Sequence, residues 1–84
     1  MYPQTRLGDW VQSYCNTPSG PFYTGSPTVF IDGLPAVRVG DQSLPGPALD
    51  GSPTIFIDGL PAVRIISIVF CGVITEGSPT TYID

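Results

Sequence analysis

Residues 25–38 read GSPTVFIDGLPAVR, and residues 51–64 repeat them as GSPTIFIDGLPAVR, with Ile55 in place of Val29 as the one difference. The period is 26 residues, and one further period lands on Gly77, where GSPTTYID runs to Asp84 and stops one residue short of the Gly of its IDG element. The second half of that third copy is found at the other end of the chain. Laid on GLPAVRVGD (33–41), MYPQTRLGD (1–9) matches at Pro3, Arg6, Gly8 and Asp9, with Leu7 against Val39. The units are therefore 25–50, 51–76, and 77–84 continued by 1–24, the last being six residues longer than the others. An open solenoid stacks units between atypical caps and has no use for a final half-repeat completed by its first residues. The arithmetic predicts a closed ring of three units, a single domain over residues 1–84, cut at a turn.

Ten Pro and ten Gly would suit a disordered chain, but 42% hydrophobic residues and many β-branched ones let it bury surface. Pro also restricts the unfolded chain, which offsets part of the ordering cost in a domain this small. The expected class is ordered, turn-rich and all-β.

Each unit predicts a β-hairpin. Thr28 to Ile31 is β-branched or aromatic, and Asp32-Gly33 favours a two-residue type I′ turn, which sets Ile31 opposite Leu34 and Val29 opposite Ala36. Alternation puts Val29 and Ile31 on one face and Phe30 on the other, so both faces are expected to meet protein. Beyond the shared Arg the units diverge into LGDWVQSYCNTPSGPFYT, VGDQSLPGPALD and IISIVFCGVITE. Three hairpins sharing one body would gather these variable segments at one end.

Net charge is −4, with no Lys or His, so no basic patch exists to neutralise a phosphate backbone. The only basic residues, Arg6, Arg38 and Arg64, share one repeat position. Three equivalent copies predict a structural role, each guanidinium bridging carboxylates or carbonyls. Without His or Lys, and with the acids in turn positions such as Asp32, Asp58 and Asp84, no combination of nucleophile, base and orienting group stands out, and an enzyme is not expected. The N-terminus has no apolar core of a secretory signal, and the longest apolar run, 65–75, is about half the roughly 20 residues of a membrane helix.

Cys15 and Cys71 both fall in variable segments, so the ring brings them to the same end. Ligation of a metal, a disulfide, and packed apolar thiols are all open to such a pair. Packed or free thiols are the default expectation. A tetrahedral site completed only by carboxylates or water is a poor match to structural zinc.

The pattern GSPTVFIDGLPAVRVGD resembles the repeat of the PAAR proteins, whose Pro-Ala-Ala-Arg motif stands here as Pro35-Ala36-Val37-Arg38 and Pro61-Ala62-Val63-Arg64, with a degenerate Pro3-Gln4-Thr5-Arg6. The resemblance implies a small β-rich cone with pseudo-threefold symmetry. Such a cone caps the homotrimeric β-helical spike of a phage tail or type VI secretion apparatus, one cap per trimer, and sharpens it for piercing a target envelope. It implies a place at the tail tip of a virion or related particle after synthesis in the host cytoplasm. A free-standing β-repeat binding or adhesion module is the alternative. Family members commonly hold zinc or iron near the vertex through His and Cys. The absence of His here leaves Cys15 and Cys71 as the only candidates, and the expectation is a vertex without cofactor, plugged by Trp10, Val69, Phe70 and Ile74.

Overall fold

The computed structural model describes residues 1–84 and contains ten short strands and no helix. Only 11 of its 36 backbone hydrogen bonds lie within strands, so turns and bridges between repeats carry most of the pairing.

The hairpins form as the local sequence dictates. Strand β4 (Phe30–Ile31) pairs with β5 (Leu34–Pro35), placing Ile31 opposite Leu34, and β6 (Phe56–Ile57) pairs with β7 (Leu60–Pro61) in the same register. Asp32 and Gly33 have φ of 53° and 79°, and Asp58 and Gly59 repeat these values at 53° and 80°. Positive φ at both central positions is the requirement of a type I′ turn. The third hairpin is assembled from the two ends of the chain: β1 (Tyr2–Pro3) pairs antiparallel with β10 (Tyr82–Ile83), Tyr2 opposite Ile83.

The three units are joined by backbone bonds that close on themselves. Thr5 N–H donates to Val63 C=O at 2.9 Å, Val63 N–H to Val37 C=O at 3.0 Å, and Val37 N–H to Thr5 C=O at 3.1 Å. A second such set runs from Leu7, Val39 and Ile65 to the carbonyls of Pro35, Pro61 and Pro3. These residues hold matching repeat positions, so one bond geometry is used three times. The entering Gly of each unit is pinned beside the motif Pro: a Cβ on Gly25, Gly51 or Gly77 would stand 2.9, 2.8 or 2.7 Å from Pro35, Pro61 or Pro3 Cβ.

The variable segments gather at one end, as the ring requires. Four of their strands form a sheet in the order β3 (Gly20–Pro21), β2 (Trp10–Ser13), β9 (Gly72–Ile74), β8 (Ile68–Val69). Residues 42–48 complete it: Ala48 bridges Val69, Gln42 bridges Pro47, and Ser43 bridges Phe22 beside β3. The pairing thus runs round without a free edge, which removes the unpaired donors and acceptors that edge strands present.

Two cores follow from this layout. Val11, Phe22, Ala48, Val69 and Ile74 fill the closed sheet together with Val37 and Val63 of the central ring. Ala36, Ile57, Ala62 and Ile83 form a smaller core between the hairpins, with Val29 and Ile31 packed against it. The expected plug is half realised. Val69 and Ile74 are buried, but Trp10 and Phe70 lie on the outer surface: alternation along β2 turns Trp10 away from buried Val11, and Phe70 sits in the turn between β8 and β9.

Candidate functional site

The first functional feature is the outer face of the three hairpins. Phe30, Phe56 and Tyr82, spaced by 26 residues, are 55%, 58% and 47% exposed, and Leu34, Leu60 and Tyr2 across from the turns are exposed as well. Of the two hairpin faces expected to meet protein, the chain itself therefore covers one. Ile57 and Ile83 point into the small core, while the alternate positions, displaced by one residue of a period-two strand, remain uncovered.

The second feature is the arginine network that fixes these hairpins to one another. Arg6 Nη2 donates to Asp9 at 2.9 Å and its Nη1 to Asp32 of the following unit at 3.1 Å. Arg38 repeats this with Asp41 and Asp58, both at 3.1 Å. Hydroxyls complete the junction: Ser78 and Thr80 donate to Asp32, at 2.5 and 2.6 Å, and Ser26 and Thr28 to Asp58, at 2.6 and 2.7 Å. These hydroxyl bonds, followed by the arginine, hold the Asp32 and Asp58 carboxyls below the ordinary carboxylate range. The hydrogen bond of Asp9 to Arg6, and of Asp41 to Arg38, holds each guanidinium protonated still more firmly than usual.

Arg64 departs from its two counterparts. Ser67 stands where the other units have Asp9 and Asp41, so Arg64 Nη1 donates to the Ser67 hydroxyl at 2.9 Å, Nε reaches the main-chain oxygen of Asp84, and Asp50 lies 3.7 Å away. The three arginines share a position and a structural task without sharing partners. Sequence reasoning placed them correctly in the repeat but did not identify the Ser and Thr of GSPT as the donors to the next unit's turn. The signal was available in the survival of Ser78 and Thr80 in the weak third copy.

The third feature is the vertex of the closed sheet. Val69 and Gly72 face each other across a two-residue turn in which Cys71 takes φ of 55°. Tyr14 N–H donates to Cys71 C=O at 3.0 Å, which carries the β2–β9 pairing past Ser13 and sets Cys15 beside Cys71. The two form a disulfide, with Cα atoms 5.4 Å apart. The expectation of packed or free thiols is overturned. Both residues sit at the ends of adjoining paired strands, and this backbone pairing brings their side chains within bonding reach.

A family model described as the PAAR motif matches residues 12–73. This chain belongs to the PAAR family. The match takes in both complete copies of the hairpin, the arginine junction between them, and both cysteines. No curated protein matches the chain. The PAAR motif is associated with the spike tips of type VI secretion and other contractile injection systems, and the family is a structural one.

A metal of the kind the PAAR resemblance implies does not fit this vertex. The chain has no His, both thiols are spent on the disulfide, and no group of three or more His, Cys, Asp or Glu side chains stands close enough to hold an ion. In its place the vertex has a covalent link between segments 56 residues apart, and a turn whose hydroxyls serve one another. There Ser13 N–H donates to Ser19 Oγ at 2.8 Å, and the Ser13 and Thr17 hydroxyls are 2.7 Å apart.

Proposed function

We propose that this PAAR protein is the tip of the central spike of a contractile phage tail or related injection machine. One copy is seated on the end of a homotrimeric β-helical spike, with the closed, disulfide-linked sheet leading. The observation that carries this reading is the exposed set Phe30, Phe56 and Tyr82, at one position of each hairpin. A monomer that binds a threefold-symmetric partner needs three like contacts, and a repeat inside one chain supplies them. The exposed apolar residues form an anchor of the kind found at the centre of protein interfaces. A trimer's end also leaves three strand edges unpaired, which a cap with three similar hairpins covers.

A single chain has a further advantage at a tip. Three identical subunits cannot make one irregular apex, whereas three unequal segments of one chain can meet in one. Work at this position is mechanical, and the molecule supplies stiffness through the closed sheet, the disulfide and the arginine junctions. The place of action is the baseplate spike of the particle, and contact with the target envelope is brief.

Co-expression with a trimeric spike protein from the same particle tests the reading. The expected result is a complex of one cap per three spike chains, lost when Phe30, Phe56 and Tyr82 are together replaced by Asp. A chain that purifies as a lone monomer in the presence of every spike protein of its particle would refute it.

A further inference from the structure

The three arginine junctions of the ring are built alike, but only one opens into a cavity. It measures about 620 Å³, and its walls include Arg6, Leu7, Asp9, Leu34, Thr75 and Glu76. That volume is in the range of small-ligand sites. No comparable cavity opens at Arg38 or Arg64. The difference between the junctions centres on two consecutive residues. Thr75 stands where the other repeats carry the larger Tyr23 and Leu49, and Glu76 stands where they carry Thr24 and Asp50.

Glu76 also upsets the balance of donors and acceptors. At the Arg38 junction the Thr24 hydroxyl accepts from Gln42 N–H at 2.9 Å and donates to Asp41 Oδ1 at 3.0 Å, so one group joins main chain to carboxylate. Glu76 keeps the first bond, its Oε1 accepting from Trp10 N–H at 2.9 Å. A carboxylate has no proton for the second, so Asp9, the counterpart of Asp41, receives none from it. Two carboxylates thus line one cavity with no donor between them. Arg6 is committed to Asp9, Asp32 and Gly77 C=O, and no ion pair joins it to Glu76. At the Arg64 junction the acid is answered: Asp50 lies 3.7 Å from the guanidinium, and Ser67 replaces the second carboxylate.

We propose that this cavity takes one lysine side chain of the protein that covers the hairpin face. The chain has no lysine of its own to place there. Leu7 and Leu34 give the methylene stem an apolar wall, while the ammonium brings three donors to Glu76, Asp9 and the Thr75 hydroxyl. Arginine is the poorer match, because its planar fork seeks both oxygens of one carboxylate. Both Asp9 oxygens are taken by Arg6, and one Glu76 oxygen by Trp10. A compact ammonium that makes one bond to each group needs no such pair. Leu34 points to the source. It is exposed on the outer hairpin face and also lines the cavity, so a protein laid over Phe30 and Leu34 passes the mouth. The site stands on the cavity itself and rests on the tip reading only for naming the spike as the covering protein. A threefold spike would offer three equivalent lysines, of which the cap takes one.

The site is tested on the cap alone, isotope-labelled, with Nα-acetyl-lysine methylamide as probe. The norleucine analogue, with a similar stem and no ammonium, is the control. The expected result is saturable NMR shifts of the Gly8, Thr75, Glu76 and Gly77 amides with the lysine amide and none with the control. Binding should weaken at least threefold between roughly 20 and 200 mM salt. Glu76→Gln, which leaves the cavity open, should weaken it at least fivefold. Thr75→Tyr, which copies Tyr23 into this junction, should abolish it with Glu76 still present, and melting temperatures should hold in both variants. Absence of shifts up to about 100 mM probe, equal shifts with the norleucine amide, or full binding by Thr75→Tyr would each overturn the site. Spike capping tests the occupant: each variant should lower affinity for the spike two- to tenfold, and unchanged affinity in both removes the spike lysine. A wild-type chain that binds the lysine amide but caps no spike would refute the tip reading, and with it this occupant, while the site stands.

Discussion

Arg38 of one repeat donates to Asp58 in the turn of the next at 3.1 Å, and Arg6 stands in the same relation to Asp32. Because Ser26 and Thr28 of the first repeat donate to that same Asp58 carboxylate, each hairpin turn is held by its neighbour in the ring. Orientation of the three exposed aromatics is thereby coupled to closure of the ring.

Arg38→Ala should lower unfolding free energy by about 1–4 kcal/mol, measured by chemical denaturation, because it leaves the Asp41 carboxylate, only 7% exposed, without its partner. Arg38→Lys should recover little. A point charge cannot donate at once to both oxygens of Asp41, to Asp58 and to Gly25 C=O as the guanidinium does. A melt unchanged in Arg38→Ala would place the junction outside the energetics of folding.

Acid should weaken the fold through Asp32 and Asp58. Their folded carboxyls titrate below the ordinary value of about 3.9, so their contribution is full above that pH. It is lost as pH falls through the lower folded value. Stability should therefore be flat through these groups from neutral pH down to about pH 5 and decline below about pH 4. The acid limb should be shallower in the double variant Asp32→Asn, Asp58→Asn. An unaltered slope would assign the decline to other groups.

Thr5→Val should raise stability by about 1–2 kcal/mol. Thr5 occupies the repeat position of Val37 and Val63 and is fully buried, and its hydroxyl has no hydrogen-bond partner. A loss of stability in differential scanning calorimetry would show that the hydroxyl is satisfied in solution.

The disulfide should matter more than any ion. Reduction, or the paired change Cys15→Ser and Cys71→Ser, should lower stability by up to about 4 kcal/mol, the loop-closure estimate for a separation of 56 residues. Prolonged EDTA should leave the melting temperature where it was. Loss of structure on chelation alone would restore the metal to the vertex.

Circular permutation should be tolerated. Tyr2 pairs with Ile83, so Asp84 and Met1 stand where Asp58 and Gly59 form a turn. Joining Asp84 to residue 1 with Met1→Gly rebuilds an Asp-Gly turn, and reopening between Asp58 and Gly59 makes the new ends. The permuted chain should melt within a few degrees of the original.

The sequence by itself determined what recurs. A 26-residue period with a split third copy established the number of units, their closure and the register of each hairpin, because turn chemistry and strand alternation act over a few residues and are written at each copy. The family was legible for the same reason, since its motif is the repeated part. Tertiary structure decided everything that depends on what lies across from a residue. It left Phe30, Phe56 and Tyr82 uncovered, turned Trp10 and Phe70 outward, gave Arg64 a hydroxyl where its counterparts have carboxylates, and brought Cys15 to Cys71. Segments 10–24, 39–50 and 65–76 share no period. Their positions follow from pairing between residues up to 66 apart, and local propensity has no term for contacts at that distance.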